Sequence, residues 1–159
     1  MERGGSMAKE EKLESEEIVP VTENEPLIPA FGYEIIREFL LDDLLGKEGP
    51  QILYWAGKQL GRRFPLSSPE ETISFFHDAG WGNLQLIKET KDELKWELSG
   101  ELIQRRFSIN ENTHFQLEAG FLAYQTEHQK KVVSESYEEQ KKRANKVFFT
   151  VKSDNKDTI

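Results

Sequence analysis

The chain of 159 residues contains no cysteine. Disulfides, thiolate metal sites, cysteine nucleophiles and thiol-linked acylation are thereby excluded. No apolar run reaches the ~18–20 residues that a helical membrane span needs. Residues 1–26 carry no apolar core of the secretory-signal type. A cytoplasmic protein with no membrane span is the expectation. Histidine is scarce as well, with only His77, His114 and His128. The last two fall on nearly one face of a predicted helix, but at 1.5 Å per residue they stand about 21 Å apart and cannot share an ion. With no His-Glu-x-x-His or compact carboxylate and histidine cluster, no metal and no cofactor are expected. Gly-x-Ser-x-Gly and phosphate-binding glycine loops are also missing. No catalytic constellation is legible, and the chain is read as non-enzymatic.

Positive charge is in short supply. The formal net charge is −8. Residues 1–26 hold eight glutamates against Arg3, Lys9 and Lys12, so five of those negative charges sit there and the remaining body carries −3. A body of that sign lacks the concentrated basic face of a phosphate-backbone binder, and no nucleic acid partner is expected. The acidic, almost aromatic-free stretch 1–26 reads as a disordered tail, 27–152 as one α+β domain, and 153–159 as a frayed C-terminus.

Within the body, hydrophobic period and capping residues lay out the elements. A first helix is predicted from about Gly32 to Leu45, with Ile35, Ile36, Phe39, Leu40 and Leu44 on an arc of roughly 180°. So wide an apolar arc suits either a homodimer interface or a central helix. Gly49-Pro50 breaks the chain and starts a second helix over about 50–62, carrying Gly57 and Gly61. Each glycine costs a helix roughly 1 kcal/mol relative to alanine. Gly57 is therefore expected to meet a close neighbour, the Ala119-Gly120-Ala123 surface, and Gly61 to help end the helix. Ser68-Pro69-Glu70-Glu71 is a capping box with proline in the first turn. It opens a third helix to Ala79, stopped by Gly80 with Trp81 folding back on Phe76.

After Gly82 the period becomes two. Leu84 and Leu86, then Leu94, Trp96 and Leu98, then Ile103, Arg105, Phe107 and Ile109 alternate, which predicts a three-stranded antiparallel meander. Thr113 with Gln116 offers a capping box for a fourth helix to about His128. Two strands, 131–138 and 146–152, complete the body. The prediction is an α+β fold with three N-terminal helices, a meander, a fourth helix and two C-terminal strands, helices layered on one side of a twisted antiparallel sheet.

Five short motifs, Ile28-Pro-Ala-Phe-Gly32, Leu53-Tyr-Trp-Ala-Gly57, Gln59-Leu-Gly-Arg-Arg63, Gly80-Trp-Gly82 and Glu118-Ala-Gly-Phe-Leu122, closely resemble the YslB-like family of bacterial proteins. The wider resemblance is to the four-vinyl-reductase domain and the Bet-three-like subunits of the TRAPP tethering complex. It rests on a glycine-and-leucine helix near the front and a Gly-Phe-Leu helix near the end. That wider resemblance implies a dimeric α+β fold that encloses an apolar channel and binds a small hydrophobic ligand, an acyl chain or a protein partner. Without cysteine, covalent acyl attachment is excluded here.

Two further groups of residues are candidates. Trp55, Gly57, Gly120, Phe121 and Tyr124 either line an apolar ligand pocket between the second and fourth helices or are core packing. Arg62 and Arg63 either contact an anion or complement the negative end of a helix dipole, and Arg105 is read as a cross-strand partner for an acid. Three functional readings follow. The first is a homodimer binding a small apolar ligand or serving as a regulatory scaffold. The second is a protein-protein adapter with a filled core, meeting an unknown partner through the first helix and the acidic tail. The third is an enzyme whose site assembles from distant residues.

Overall fold

A computed structural model of the protein describes residues 25–158. The predicted acidic tail 1–26 lies almost wholly outside them. Helix α1 covers residues 30–45 and changes pitch along its length. α-Turns at Ala30–Glu34 and Leu41–Leu45 flank a π-helical segment at Ile35–Leu40. There the Leu41 N–H donates to the Ile36 carbonyl, five residues back. Gly46, at φ +68°, opens a 3₁₀ turn, Gly46–Glu48, that leads into α2, Gly49–Arg63.

Helix α3, Pro69–Asp78, begins as its sequence predicts. Ser68 Oγ accepts from the Glu71 N–H at 3.2 Å, and Glu71 returns a carboxylate to the Ser67 N–H at 2.8 Å. At its other end Gly80 takes φ +74° and the Trp81 N–H donates back to the Phe76 carbonyl at 2.8 Å. The Trp81 and Phe76 rings then meet edge to face with centroids 5.0 Å apart.

Strands β1, Asn83–Glu89, and β2, Glu93–Ser99, form the expected hairpin. The third predicted meander strand is a helix, α4, Glu101–Ile109. Its apolar residues alternate, but Ile103 and Phe107 are also i and i+4. Glu, Leu, Gln and Arg are all strong helix formers, and Gly100 at φ +115° turns the chain out of the sheet before a third strand can pair. Helix α5, Gln116–Lys130, follows, then β3, Val132–Lys141, and β4, Lys146–Thr158.

Two terminal expectations are corrected with these elements. Thr113 does not cap α5. Its hydroxyl is taken by Arg106 at 3.3 Å, and Glu138 of β3 instead accepts from the Phe115 N–H at 3.0 and 3.1 Å. The C-terminal stretch expected to fray is strand, because β4 pairs with β3 as far as Val132 opposite Thr158.

The sheet order is β1-β2-β4-β3, antiparallel throughout. The place beside β2 that a meander would give to its third strand is filled by the last strand of the chain. Leu94, Trp96 and Leu98 lie opposite Val151, Phe149 and Val147, all six buried on one face. On that face Phe76, Trp81 and Phe121 form an aromatic cluster, with Phe75 stacked on Phe121 at 4.7 Å. Helix α5 is covered on nearly all sides, by the sheet on one and α2 on another. A Cβ on Gly57 would collide with the Leu117 carbonyl, and one on Gly120 with the Tyr54 carbonyl. The α2–α5 contact is thus backbone against backbone. Gly61 belongs to it and does not end the helix, since α2 continues to Arg63 and a Cβ there would stand 2.8 Å from Tyr124 Cδ2. The exposed edge of β3 is closed by side chains. Glu127 accepts from the Ser134 N–H at 3.0 Å and Tyr54 Oη from the Ser136 N–H at 2.9 Å, which leaves those two donors unavailable to another strand.

Candidate functional site

Helix α1 is turned the opposite way from an ordinary surface helix. Between Ala30 and Leu41 its three charged residues, Glu34, Arg37 and Glu38, are buried. The exposed residues of the same stretch are Phe31, Gly32, Ile35, Ile36, Phe39 and Leu40. Leu27 and Ile28, just ahead of the helix, are 94% and 75% exposed, and Leu44 continues the face at 70%. All five residues predicted for a dimer interface, Ile35, Ile36, Phe39, Leu40 and Leu44, lie on this one exposed face. With about 180 Å² for a fully exposed large apolar side chain, the face presents on the order of 800 Å² per chain. Monomer surfaces rarely leave so large a contiguous apolar patch uncovered.

The inward side of α1 faces α4 and α5 through ions. Arg105 holds Glu34 with two parallel bonds, Nε to Oε2 at 2.6 Å and NH2 to Oε1 at 2.7 Å. Arg106 Nε bonds Glu38 Oε2, and its NH1 reaches Glu118 Oε2 at 3.0 Å. The other Glu118 oxygen accepts from Arg37 NH2, also at 3.0 Å. Arg106 is completed by the His114 carbonyl at 2.7 Å and by the Phe115 ring, whose centroid lies 3.9 Å from the guanidinium carbon. Asn110 Nδ2 ties Glu38 to Asp42 with contacts of 3.1 and 3.2 Å.

Three carboxylates and three guanidiniums make this cluster neutral. Its members other than Arg105 are all buried, Glu118 completely. Burial by itself raises the Glu118 pKa, but the guanidiniums of Arg37 and Arg106 outweigh it and hold the carboxyl below its usual range. Reciprocally, Glu118 keeps Arg37 charged against the opposing effect of its own burial. Such a cluster adds little net stability over apolar packing, yet deleting one member strands the others and costs about 3–5 kcal/mol.

The residues predicted to line an apolar pocket are not brought around one cavity. Trp55 points outward and is 61% exposed, while Phe121 is enclosed in the aromatic cluster. Gly57 and Gly120 are closed by opposing backbone, and Tyr124 packs on Gly61. Small residues on both helices have drawn them together, and no space is left between. Arg62 and Arg63 are exposed at the end of α2, with Arg62 5.6 Å from the Tyr124 ring. Arg105, read as a cross-strand partner, pairs from a helix with Glu34. Among the described residues no group of histidine and carboxylate side chains is arranged to hold a metal, and no helix is long and apolar enough to cross a membrane. An open groove of about 390 Å³ lies between α2 and β3, lined by Gln51, Tyr54, Gln116, Glu135, Ser136 and Tyr137. Tyr54 Oη donates to Glu135 at 2.5 Å across it, and burial with that bond raises the phenol's pKa.

The family described as proteins of unknown function (DUF2507) matches residues 30–152, a span that takes in α1 and the entire ion cluster. The chain belongs to that family. Uncharacterized protein YslB of Bacillus subtilis (strain 168) is 48% identical over 130 residues, covering 82% of this chain and 88% of the relative. The YslB-like assignment drawn from the sequence motifs is therefore correct. In architecture this family member is similar to a vinyl-4-reductase family protein from Methanocaldococcus jannaschii. The TM-score is 0.63, the identity 21%, and the match spans 84% of this chain and 86% of that one. At such identity the likeness concerns the fold alone.

Sequence reasoning found the apolar half of α1 and missed the ionic half. Glu34, Arg37 and Glu38 were hidden because charges at i, i+3 and i+4 read as a solvated face. Glu118 carried a readable signal, an acid inside the otherwise apolar run Leu117 to Ala123.

Proposed function

We propose that the chain is a non-enzymatic homodimeric scaffold domain, and that the exposed apolar face of α1 meets the same face of a second copy. One observation carries this reading: between Ala30 and Leu41 the charged residues of α1 are buried and its exposed large side chains are apolar, the exposed Asp43 lying just beyond. A face that carries no charge from Ala30 to Leu41 is compatible with itself about a two-fold axis, which a face bearing one sign of charge along that length is not. Its area, of order 800 Å², equals what one partner gives to a standard interface. The closed α2–α5 contact favours a scaffold with a filled interior over an apolar ligand channel. The fully engaged ion cluster supports a structural use of these charges, not an acid-base one.

Sedimentation velocity at micromolar concentration tests this directly. The parent chain is expected to sediment as a dimer, and a variant carrying Ile36→Glu with Phe39→Glu as a folded monomer. A double variant that still dimerises like the parent excludes the α1 face.

A further inference from the structure

The ionic side of α1 has a consequence for its apolar side, and it rests on the self-association reading above. Beneath α1 the body presents Arg105, Arg106, Asn110 and Glu118. An apolar helix face laid on these groups would leave Arg105 without Glu34 and would take Glu38 from Arg106 and Arg37 from Glu118, whose bond to each other would remain, at a cost of several kcal/mol. Water offers α1 the contrary preference, to bury Phe31, Ile35, Ile36 and Phe39 and release its charges. Only one arrangement satisfies the body, and it is the one with the apolar side outward. The connection at the end of α1 is permissive, a 3₁₀ turn between Gly46 and Gly49. The α1 backbone comes close to the rest of the chain chiefly at that junction, and elsewhere long side chains bridge the gap. The π-helical segment lies where Arg37 and Glu38 turn inward.

We infer that the cluster of Glu34, Arg37, Glu38, Arg105, Arg106 and Glu118 is an orientation lock that holds α1 with its apolar face presented for association. Dimer affinity is then set by charges that never touch the partner. These residues act as positioning groups through Ile35, Ile36, Phe39 and Leu40.

The pair Glu34 and Arg105 allows a test without emptying the interior, because Arg105 lies at the rim with 42% of its side chain exposed. The full chain is compared with Glu34→Gln, Arg105→Gln, the double Gln variant, and the reversed pair Glu34→Arg with Arg105→Glu. Each is followed by the dimer dissociation constant and by hydrogen exchange of the α1 amides. The lock predicts that each single Gln change weakens dimerisation at least tenfold and speeds α1 exchange at least tenfold, with β2 and β4 unchanged. The double variant should be no worse than either single one, and the reversed pair should recover most of the affinity. A dissociation constant within twofold of the parent in both single variants overturns the lock, as does unchanged α1 exchange. A parent chain that is monomeric throughout removes the self-association reading, and with it the coupling. In that case faster α1 exchange in the variants would still identify the ion pairs as the attachment of the helix, so the two failures are told apart.

Discussion

The two helices that lie outside α5 are attached to the body in opposite ways. Helix α2 meets α5 where side chains are absent, at Gly57 and Gly120, so that backbone touches backbone. Helix α1 meets α4 and α5 through the longest charged side chains available, Arg37, Arg105 and Arg106 against Glu34, Glu38 and Glu118. The first joint is tight and apolar, fixed by shape. The second spans a gap and is fixed by charge, which frees the other side of α1 to be apolar. A fold that needs one permanent helix contact and one outward-facing sticky helix can obtain both from this difference.

Glu118→Leu should break the ionic joint most severely. It leaves Arg37 and Arg106 buried beside an apolar group and is expected to cost about 3–5 kcal/mol, read from the urea midpoint. Gly120→Ala attacks the other joint. Its Cβ meets the Tyr54 carbonyl, so the helices must separate, and a loss of about 3 kcal/mol is expected with α1 still docked. Comparing the two variants by hydrogen exchange sharpens the contrast. The first should expose α1 amides and the second those of α2 and α5.

Acid provides a gentler probe of the ionic joint alone. Because the folded Glu118 carboxyl sits below its unfolded value, its contribution is fully present above the usual carboxylate range and disappears as pH falls through the folded pKa. The urea midpoint of the parent should therefore drop between pH 7 and pH 3.5 by more than that of Glu118→Gln. Equal drops would remove Glu118 from the account. The smallest effect belongs to neither joint. Ser68→Ala removes the α3 cap and should cost about 1 kcal/mol, leaving dimerisation unchanged.

What was legible in the sequence divides along the same line. The glycines of α2 and α5 announce a close approach because glycine in a helix interior has few other uses. Gly80 and Ser68 announce helix ends, and both behave as expected. The helix at Glu101–Ile109 was misread because Ile103 and Phe107 satisfy either period, and what decides between them is Arg106, buried by partners that lie 12 and 68 positions away. The capping role of Thr113 failed for the same reason, its hydroxyl being claimed by Arg106. Local pattern could locate the apolar stripe of α1 but not its direction. Direction depends on Glu118 and Arg106, whose partnership with α1 exists only in three dimensions.

Native mass spectrometry of the untreated protein at micromolar concentration bears most directly on the central claim, since it reports subunit number and retained ligand together. A dimer of twice the chain mass carrying no small molecule is the predicted result. A monomer, or a species holding a hydrophobic ligand, would contradict it.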